Sequence, residues 1–450
     1  MATDTVPVTG WGRTSPTTAR LIRPRDYAQA VAAVRDCGAR GGIARGLGRA
    51  YGDAAQNAGG CVFDMTGLDR IHVVDADDGT VLCDAGVSLH RLMQVLLPLG
   101  WFVPVVPGTR QVTVGGAIAG DVHGSDHPVA GAFSRHVLSF ELLTADGSVH
   151  TVGQGTPLFD ATVGALGLTG VILTARLRLP PVETALMSVG TERARDLDEV
   201  MARLANAARR HRHATARIDL LARGAATGRG IVTHADHAPA AALRPGTRTW
   251  REPLAFRPRR LPAPPAFLPT GLLGRTTAAL TGELRHRRAA HARTELRPIP
   301  AFFHPLDGVP HWNRVYGRGG LVQYQCLLGY GEEDALRRIV RRLGAHRCPS
   351  FPAVLKRFGE AGSGWLSFPA PGWSLALDLP AHLPGLAALL DGLDEEVAAA
   401  GGRVCLAKDA RLRPDLLTAM YPHVADFRRL RAELDPGGVF TSDLARRLSL

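Results

Sequence analysis

The chain has 450 residues, of which 45% are hydrophobic and 21% charged, as in ordinary globular proteins. This composition excludes a chain that is disordered throughout, and the length predicts two or three domains. The net charge is +12, from 53 basic and 41 acidic residues. All basic residues except Lys356 and Lys408 are arginines. Such a bias is typical of a GC-rich genome, so the charge alone is weak evidence for nucleic-acid binding.

The sequence also argues against several other classes of protein. Its six cysteines are irregularly spaced and form no C-x-x-C pair, so neither a disulfide framework nor a metal site is predicted. The first residues lack a charged start followed by an apolar core, and no apolar run reaches about 18 residues. We therefore predict no signal peptide and no transmembrane helix. The expected location is the cytoplasm or the membrane periphery, on a side that the sequence does not indicate.

The first 180 residues alternate short strands and helices. Apolar spacing predicts a helix over 26–37, with Asp26 as its N-cap, and a second helix over 88–97. Asp146-Gly147 predicts the turn of a hairpin. The predicted strands cover 61–65, 71–75, 80–84, 139–143, 149–152 and 171–179. This alternation is typical of an α+β fold.

Pro180-Pro181 predicts a boundary, beyond which strands and helices continue. The predicted elements are helices over 196–210, 332–342, 386–400 and 426–434, and strands over 320–328 and 373–379. Residues 240–300 are rich in Pro and Arg and poor in acids. A mobile lid, a basic surface loop and a partly disordered linker are all compatible with that composition.

Three glycine-rich stretches predict a nucleotide site. RGLGRAYGD (45–53) is neither a Rossmann fingerprint, because Tyr51 replaces the last glycine, nor a P-loop. The second stretch, 104–124, contains five glycines together with Thr109 and Thr113, whose hydroxyls can donate to phosphate. The third is GALGLTG (164–170). Backbone amides in such loops can cradle phosphate oxygens, and three loops in one domain suit a long dinucleotide.

These stretches resemble the FAD-binding domain of the vanillyl-alcohol-oxidase (PCMH-type) family. Further strings resemble, more closely, the subfamily of decaprenylphosphoryl-β-D-ribose 2′-oxidases. They include TGWGRTSP (9–16), FFHPLDG (302–308), WNRVYG (312–317), LSFPAPGW (366–373), AKDAR (407–411) and FTSDLARRLSL (440–450). The resemblance implies a two-domain α+β flavoprotein. Residues 1–185 and 403–450 would form the FAD-binding domain. Residues 186–402 would form a substrate domain with an antiparallel sheet, flanking helices and a flexible segment at 240–300.

The resemblance also implies the residues that bind the cofactor. Arg49 stands where many relatives carry a histidine bonded to the flavin, so the FAD is expected to be non-covalent. A contact from Arg49 to the pyrophosphate is expected as well. The predicted cofactor-binding residues are Arg45, Gly46, Leu47, Gly48, Arg49, Ala50, Tyr51, Pro107, Gly108, Thr109, Thr113, Gly115, Gly116, Gly120, Val122, His123, Gly124, Gly167, Thr169 and Val171.

The two lysines acquire a role through the same resemblance. Lys408, in the A-K-D motif, corresponds to the family's lysine beside flavin and substrate, and is the predicted catalytic residue. It can stabilise the negative charge that arrives with the hydride, or accept the hydroxyl proton. The predicted substrate-binding residues are Tyr51, His123, Tyr316, Gln323, Gln325, Lys356 and Lys408.

The implied reaction is oxidation of the 2′-hydroxyl of a polyprenylphosphoryl-β-D-ribose to the 2′-keto sugar. An NAD(P)H-dependent reductase would complete the epimerisation to an arabinose donor for cell-wall arabinan. Residues 240–300 are expected to contact anionic lipid at the membrane surface, and no nucleic-acid partner is expected.

Four departures from mycobacterial members keep an alternative open. Ser374, Ala376, Cys405 and the pair Ser125-Asp126 replace, in turn, an asparagine, a cysteine, a tyrosine and Lys-Asn. A related FAD alcohol oxidase that acts on a soluble sugar, a lactone or a nucleoside is therefore also considered. A basic binding protein for lipid or nucleic acid, without catalysis, is the alternative from another class.

Overall fold

The computed structural model describes residues 4–265, 267–269, 274–289, 293–351 and 353–450. Its first sheet has the strand order β1-β2-β4-β3. The strands are β1 (Asp4–Val8), β2 (Thr17–Ile22), β3 (Gly42–Arg45) and β4 (Cys61–Asp64), and α1 (Tyr27–Arg35) lies between β2 and β3 in the chain. β4 runs parallel to both β2 and β3.

A second sheet is antiparallel throughout, with the order β5-β6-β9-β7-β8. Its strands are β5 (Ile71–Asp75), β6 (Thr80–Asp84), β7 (Val137–Leu143), β8 (Val149–Gly153) and β9 (Val171–Arg178). The helices of this region are α2 (Leu89–Leu96), α3 (Val114–Ala119), α4 (His127–Ala130) and α5 (Pro157–Thr162). The predicted hairpin around Asp146-Gly147 is confirmed as β7 and β8.

The third sheet has eight antiparallel strands in the order β13-β10-β12-β11-β15-β16-β14-β17. They are β10 (Leu186–Ala194), β11 (His213–Ile218), β12 (Gly230–His237), β13 (Arg293–Pro298), β14 (Leu321–Leu328), β15 (Ala353–Phe358), β16 (Gly372–Pro380) and β17 (Arg403–Val404). The remaining helices are α6 (Leu197–Arg210), α7 (Arg248–Arg251), α8 (Arg275–Arg288), α9 (Ile299–Phe303), α10 (Glu333–Ala345), α11 (Leu386–Ala399), α12 (Pro414–Met420), α13 (Val424–Leu434) and α14 (Asp443–Leu448). The α+β prediction is confirmed.

Side-chain capping begins three of the predicted helices. The carboxylate of Asp26 accepts a hydrogen bond from the Gln29 amide, and that of Asp196 accepts one from the Glu199 amide. The hydroxyl of Ser88 caps α2 in the same way. Each cap satisfies an amide that has no partner inside its helix, so the sequence marks these starts correctly.

The eight-stranded sheet has an apolar face that packs into the protein core and a face that carries polar side chains. Leu375, Leu377 and Leu379 of β16 are fully buried in the core cluster that includes α6, α10 and α11. Because side chains alternate along a strand, Ser374, Ala376 and Asp378 project from the opposite face. That face meets His123, which lies 3.0 Å from Gln325 of β14, and Gln325 in turn lies 2.8 Å from Ser374.

The C-terminal residues return to the first sheet. Phe440 forms a parallel bridge with Gly42 of β3. The guanidinium of Arg447 in α14 lies 2.9 Å from both Asp53 Oδ1 and Asp409 Oδ2. β17 pairs instead with β14 of the eight-stranded sheet, immediately after the predicted boundary at 402–403. The proposed domain limits remain a prediction.

The segment predicted at 240–300 contains regular structure in its described part. It includes α7 and α8, and β13 forms an edge of the eight-stranded sheet by pairing with β10. Residues 266, 270–273 and 290–292 of the segment lie outside the described residues.

Candidate active site

The three glycine-rich stretches meet around one cleft. A Cβ atom built on Gly46 would lie 2.2 Å from Thr113 Oγ1, so only glycine permits this approach of the first two stretches. Gly167, from the third stretch, has φ +86°. The cleft therefore depends on small residues at the points where backbones meet.

Six predicted cofactor residues line this cleft, and eight further residues join them. The six are Arg45, Gly46, Thr113, Gly115, Gly116 and Gly167; the eight are Ala44, Met65, Ala85, Ala119, Thr162, Leu166, Gly170 and Ile172. Ala85 is a residue that sequence reasoning missed. A Cβ on Gly115 would touch its methyl group at 3.0 Å. Gly115 lies in α3 and Ala85 in the turn after β6, and such a pair of small residues carries no local signal, because their contact exists only in the fold.

Several predicted cofactor residues have structural tasks at the rim of the cleft. Arg45 donates hydrogen bonds to the carbonyls of Thr9 and Ala55, which fixes the shape of the first loop. Thr113 caps α3 by accepting from the Gly116 amide. The predicted residues outside the cleft lining are Leu47, Gly48, Arg49, Ala50, Tyr51, Pro107, Gly108, Thr109, Gly120, Val122, His123, Gly124, Thr169 and Val171.

Thr109 and Thr169 illustrate why a hydroxyl in a glycine-rich loop is not always free. The Thr109 hydroxyl donates to Asp307 Oδ1 at 2.8 Å, and the Arg110 amide donates to Asp307 Oδ2. Thr169 is buried and donates to the hydroxyl of Thr162. Both hydroxyls therefore have protein partners. A phosphate contact from Thr109 and a cofactor contact from Thr169 remain predictions.

Arg49 stacks on an aromatic ring next to the first loop. Its guanidinium carbon lies 3.7 Å from the centroid of the Trp11 ring. Its Nε is buried without a hydrogen-bond partner among the described residues. Burial lowers the pKa of Arg49, and Asp307 and Tyr51 oppose that shift. The stacking holds a cation with an unsatisfied N–H beside the loop, an arrangement that suits an anionic ligand.

The polar face of the eight-stranded sheet brings together residues that are far apart in sequence. In the strand register, Gln323 faces Asp378, Gln325 faces Ala376, and Lys356 faces Ser374. Residues paired across an antiparallel ladder share one face. The sheet therefore presents two amides, a carboxylate, a hydroxyl and an ammonium group on one surface.

His123, from the second glycine-rich stretch, closes onto this surface. Gln325 Nε2 lies 3.0 Å from His123 Nε2 and 2.8 Å from Ser374 Oγ. Burial, followed by the charges of Lys356 and Lys408, lowers the pKa of His123 well below its usual value. The imidazole is therefore neutral at physiological pH, and its Nδ1 has no partner among the described residues.

Lys408 lies in a loop pressed against the first glycine-rich stretch. The Tyr51 amide donates to the Ala407 carbonyl at 3.2 Å. A Cβ on Gly52 would lie 1.7 Å from the Asp409 carbonyl oxygen, so glycine is required at this contact. Burial lowers the pKa of Lys408, whereas Cys405 and Asp378 oppose that shift.

The second lysine belongs to the same pocket. Lys356 is half-buried. Burial and the charge of Lys408 lower its pKa to about 8, and Asp126 opposes the shift. Burial in turn raises the pKa of Asp126 to about 6. The two lysines of the sequence thus interact in one pocket, although 52 positions separate them.

The two predicted tyrosines differ in their surroundings. The buried hydroxyl of Tyr316 donates to the Phe351 carbonyl at 2.9 Å, so its proton is engaged in a hydrogen bond within the protein. Burial and Asp378 raise the pKa of Tyr51 well above its usual value. Asp378 accepts a hydrogen bond from Gln323 Nε2 and was not among the predicted site residues. An acid inside an apolar strand run is hard to distinguish from an exposed one by sequence.

Known flavin enzymes are similar to this chain in sequence. A family model described as an FAD binding domain matches residues 18–153, and one described as D-arabinono-1,4-lactone oxidase matches 384–448. The chain is 41% identical to decaprenylphosphoryl-beta-D-ribose oxidase of Mycolicibacterium smegmatis, over 100% of this chain and 98% of the relative. The chain belongs to the decaprenylphosphoryl-ribose oxidase family. It is an FAD-dependent oxidoreductase that acts on CH–OH groups.

Two further proteins are similar to this chain. An uncharacterised protein of Streptomyces coelicolor is 59% identical, over 81% of this chain and 100% of its own length. The alditol oxidase of a Streptomyces species is 25% identical over 98% of both chains. These matches favour the enzyme over the non-catalytic binding protein considered from charge alone.

The residues of the cleft fit the cofactor of the family. The positive φ angle at Gly167 and the lack of room for a side chain at Gly46 leave backbone exposed to a long ligand. The loop of Lys408 contacts the first glycine-rich stretch at Gly52 and through the hydrogen bond from the Tyr51 amide to the Ala407 carbonyl. Among the described residues, no helix is long and apolar enough to cross a bilayer.

Proposed function

We propose that this chain oxidises the 2′-hydroxyl of a polyprenylphosphoryl-β-D-ribose to the 2′-keto sugar, the first half of an epimerisation to an arabinose donor. The full-length relative named for this sugar phosphate supports the substrate class. The observation that carries the proposal is the pocket itself. Lys356 and Lys408 interact there beside His123 and Gln325, next to the glycine-rich cleft.

Lys408, His123 and Lys356 have separate roles in the proposed reaction. When bound, FAD supplies the acceptor for the hydride of the carbinol carbon. Lys408 meets the reacting hydroxyl, and its lowered pKa increases the fraction of neutral amine that can accept the proton. His123, neutral and with Nδ1 unpartnered among the described residues, would orient a sugar hydroxyl. Lys356 provides positive charge for the phosphate.

FAD is proposed to bind without a covalent link. Arg49 occupies the place where many relatives of the fold carry a linking histidine. No histidine or cysteine is among the residues that line the described cleft. Acid precipitation of the purified protein should release the yellow cofactor into the supernatant, and retention in the pellet would contradict a non-covalent site.

Anaerobic bleaching of the flavin tests the function. A short-chain prenylphosphoribose should reduce the wild-type flavin, whereas free ribose should not. Lys408→Ala should retain FAD and lose about 100-fold or more in the rate of bleaching, because the reacting proton has no acceptor. Lys356→Ala should instead raise the substrate concentration needed. Unchanged bleaching in Lys408→Ala would reject its assigned role.

An oxidase for a soluble sugar, lactone or nucleoside is the second candidate. Ser374 and Asp126 give this pocket a hydroxyl and a buried carboxylate at positions where mycobacterial members carry amides. The alditol oxidase relative acts, by its name, on alditols. Faster bleaching by an alditol or a lactone than by the prenylphosphoribose would favour this candidate.

The proposed product needs a second enzyme. A 2′-keto sugar becomes the arabinose epimer by reduction from the opposite face, and a separate NAD(P)H-dependent reductase is the proposed partner. Oxidised enzyme, substrate, such a reductase and NAD(P)H together should yield the epimer, whereas the oxidase alone should stop at the ketone.

Residues 240–300 are proposed to contact anionic lipid, which would bring the site to a polyprenyl substrate. The segment holds 12 arginines and three glutamates, or +9 of the total +12. Leu280 and Leu284 lie one turn apart on α8 and are 70% and 44% exposed. Glu283 faces inward to Arg229 instead. Exposed apolar side chains among arginines suit the surface of a bilayer.

A further inference from the structure

A second cleft lies between α8, the C-terminal end of β11 and the N-terminal end of β12, and it shares no lining residue with the glycine-rich cleft. Apolar side chains on its walls include Leu221 after β11, Ile231 in β12, Ala278 in α8 and Phe351 before β15. Of these, Leu221, Ile231 and Phe351 are only half-buried. Apolar surface that stays accessible inside a cleft favours an apolar ligand.

The charged groups of this second cleft balance one another. Arg217 and Arg229 line it, and so does Asp219. Arg229 lies 3.0 Å from Asp219 Oδ2 and 2.5 Å from Glu283 Oε2 of α8. Burial, followed by the charge of Arg229, lowers the pKa of His286, so this lining imidazole is neutral at physiological pH. Two arginines against two carboxylates leave no net charge that calls for an ion.

α8 separates the second cleft from the surface of the molecule. Ala278 and Gly282 line the cleft, whereas Leu280 and Leu284 are exposed. Residues four apart share one face of a helix, so each pair marks a face of its own. One face of α8 therefore covers the cleft, and the other carries the leucines that are proposed to contact lipid.

The floor of the second cleft is the sheet face that also carries the pocket of the two lysines. In the strand register, one row of paired residues crosses five strands: Ile231, Arg217, Val354, Ala376 and Gln325. Residues paired across antiparallel strands share one face, and alternation places Lys356 on the same face as Val354. β12 lies two strand spacings from β15, or about 10 Å.

A short segment before β15 connects the second cleft to the active pocket. Ser350 and Phe351 both line the cleft. The Phe351 carbonyl accepts the hydrogen bond from the Tyr316 hydroxyl at 2.9 Å, and Ser350 Oγ accepts one from the Asp378 amide at 3.1 Å. Tyr316 is a predicted substrate contact, and Asp378 lies on the polar face beside Gln323. The same segment therefore contacts the active pocket and forms a wall of the cleft.

We propose that the second cleft, under α8, binds the prenyl chain of the substrate. In this arrangement the sugar and its phosphate lie at Lys408 and Lys356, and the chain crosses the sheet past Val354 to Ile231 and Ala278. The path leads the chain toward α8, the element that is proposed to contact lipid. This inference deepens the proposed function and rests on it for the identity of the sugar phosphate.

A bulky side chain at Ala278 tests the cleft in anaerobic bleaching. Ala278→Trp should raise the half-saturating concentration of a long-chain prenylphosphoribose about tenfold, because the indole takes the space of the chain. The half-saturating concentration of a single-isoprene substrate should not change. Both substrates are presented in the same detergent, so that binding to a bilayer makes no contribution.

Ala279→Trp is the matched control. Ala279 is the next residue of α8 and is exposed, whereas Ala278 is buried. The control should leave the half-saturating concentration of both substrates unchanged. If Ala278→Trp does not affect the long-chain substrate, the proposal is overturned. An equal rise for the two substrates also overturns it, because the substitution then acts on the sugar pocket or on the fold.

Photo-cross-linking tests the same point in the wild-type holoenzyme. A long-chain prenyl phosphate with a diazirine at the end remote from the phosphate should label peptides of α8 or β12. An excess of the unmodified prenyl phosphate should abolish the labelling. Labelling confined to other peptides, or insensitive to the competitor, would contradict the assigned path of the chain.

The cross-links also separate this inference from the proposed function. If neither prenylphosphoribose reduces the wild-type flavin, the substrate assignment fails. The cross-links need no oxidation, so they still decide whether the cleft under α8 takes a prenyl chain.

Discussion

At the residue scale, two properties shape the site: glycine has no side chain, and lysine has an amine that can lose its proton. Gly46 and Gly52 stand where backbone or hydroxyl atoms approach too closely for any Cβ. Burial lowers the pKa of Lys356 and of Lys408, so each amine can lose its proton. Arginine at the same positions would stay charged. The glycines allow the close backbone contacts around the cleft, and the lysines give the pocket charges that depend on burial.

Gly46→Ala should weaken FAD binding at least tenfold. The added methyl group would collide with Thr113 Oγ1 at 2.2 Å and push the first two glycine-rich stretches apart. Fluorescence titration of the apoprotein with FAD measures the effect. Gly437→Ala, at a site with no neighbour within 4 Å of the new methyl group, is the matched control. Equal FAD affinity in Gly46→Ala and wild type would show that the stretches tolerate separation.

The affinity for a phosphorylated substrate should fall above about pH 8. The pKa of Lys356 is lowered to about 8, so its positive charge is present below that pH and lost above it. In Lys356→Arg the guanidinium stays charged, and KM should then be independent of pH over this range. Steady-state kinetics at pH 6 to 10 measures both. A similar rise of KM with pH in the two proteins would assign the titration elsewhere.

At the element scale, α14 ties the C-terminal loop to the first glycine-rich stretch. Arg447 bridges Asp53 and Asp409, which come from the two segments whose backbones meet at Gly52. Asp409 is buried, and Arg447 is its ion-pair partner among the described residues. A short terminal helix thereby holds the Lys408 loop against the cofactor cleft.

Arg447→Gln should lower the free energy of unfolding by about 2 kcal/mol, because it leaves the buried carboxylate of Asp409 without a cation. It should also weaken FAD binding. Urea unfolding with and without FAD measures both effects. Arg413→Gln, which breaks an ion pair at the surface with Asp415, serves as the comparison and should leave the unfolding midpoint unchanged. Equal midpoints for Arg447→Gln and wild type would contradict the role of the bridge.

At the scale of the whole molecule, charge is distributed very unevenly. Residues 240–300 carry +9, and the other 389 residues together carry only +3. Long-range attraction to an anionic surface would therefore orient the molecule with this segment foremost. The polar pocket lies on the same eight-stranded sheet whose edge strand, β13, belongs to the segment.

Binding to vesicles that contain anionic phospholipid should be salt-sensitive and should require the apolar side chains of α8. Leu280→Ser combined with Leu284→Ser should reduce sedimentation with such vesicles several-fold, because the exposed leucines no longer enter the bilayer. Leu99→Ser, at a leucine that is 52% exposed elsewhere, is the control. Equal sedimentation with neutral and anionic vesicles would argue against the proposed contact.

The amino-acid sequence by itself determined the cofactor class and most of the regular elements. Caps such as Asp26 and the turn at Asp146-Gly147 are local signals, so their effects are readable without the fold. The glycine-rich stretches are readable too, because glycine is needed wherever backbones approach. The predicted α+β class followed from the order of these elements.

Only the tertiary structure decided which side chains share the pocket. Asp378 looks like any acid within a strand until the register with Gln323 and the hydrogen bond between the two side chains are known. Tyr316 remains a predicted substrate contact, and only the structure shows that its hydroxyl donates to the Phe351 carbonyl. Strand register, burial and long-range pairing set hydrogen bonds and pKa values, and none of these is a property of a residue and its neighbours in sequence.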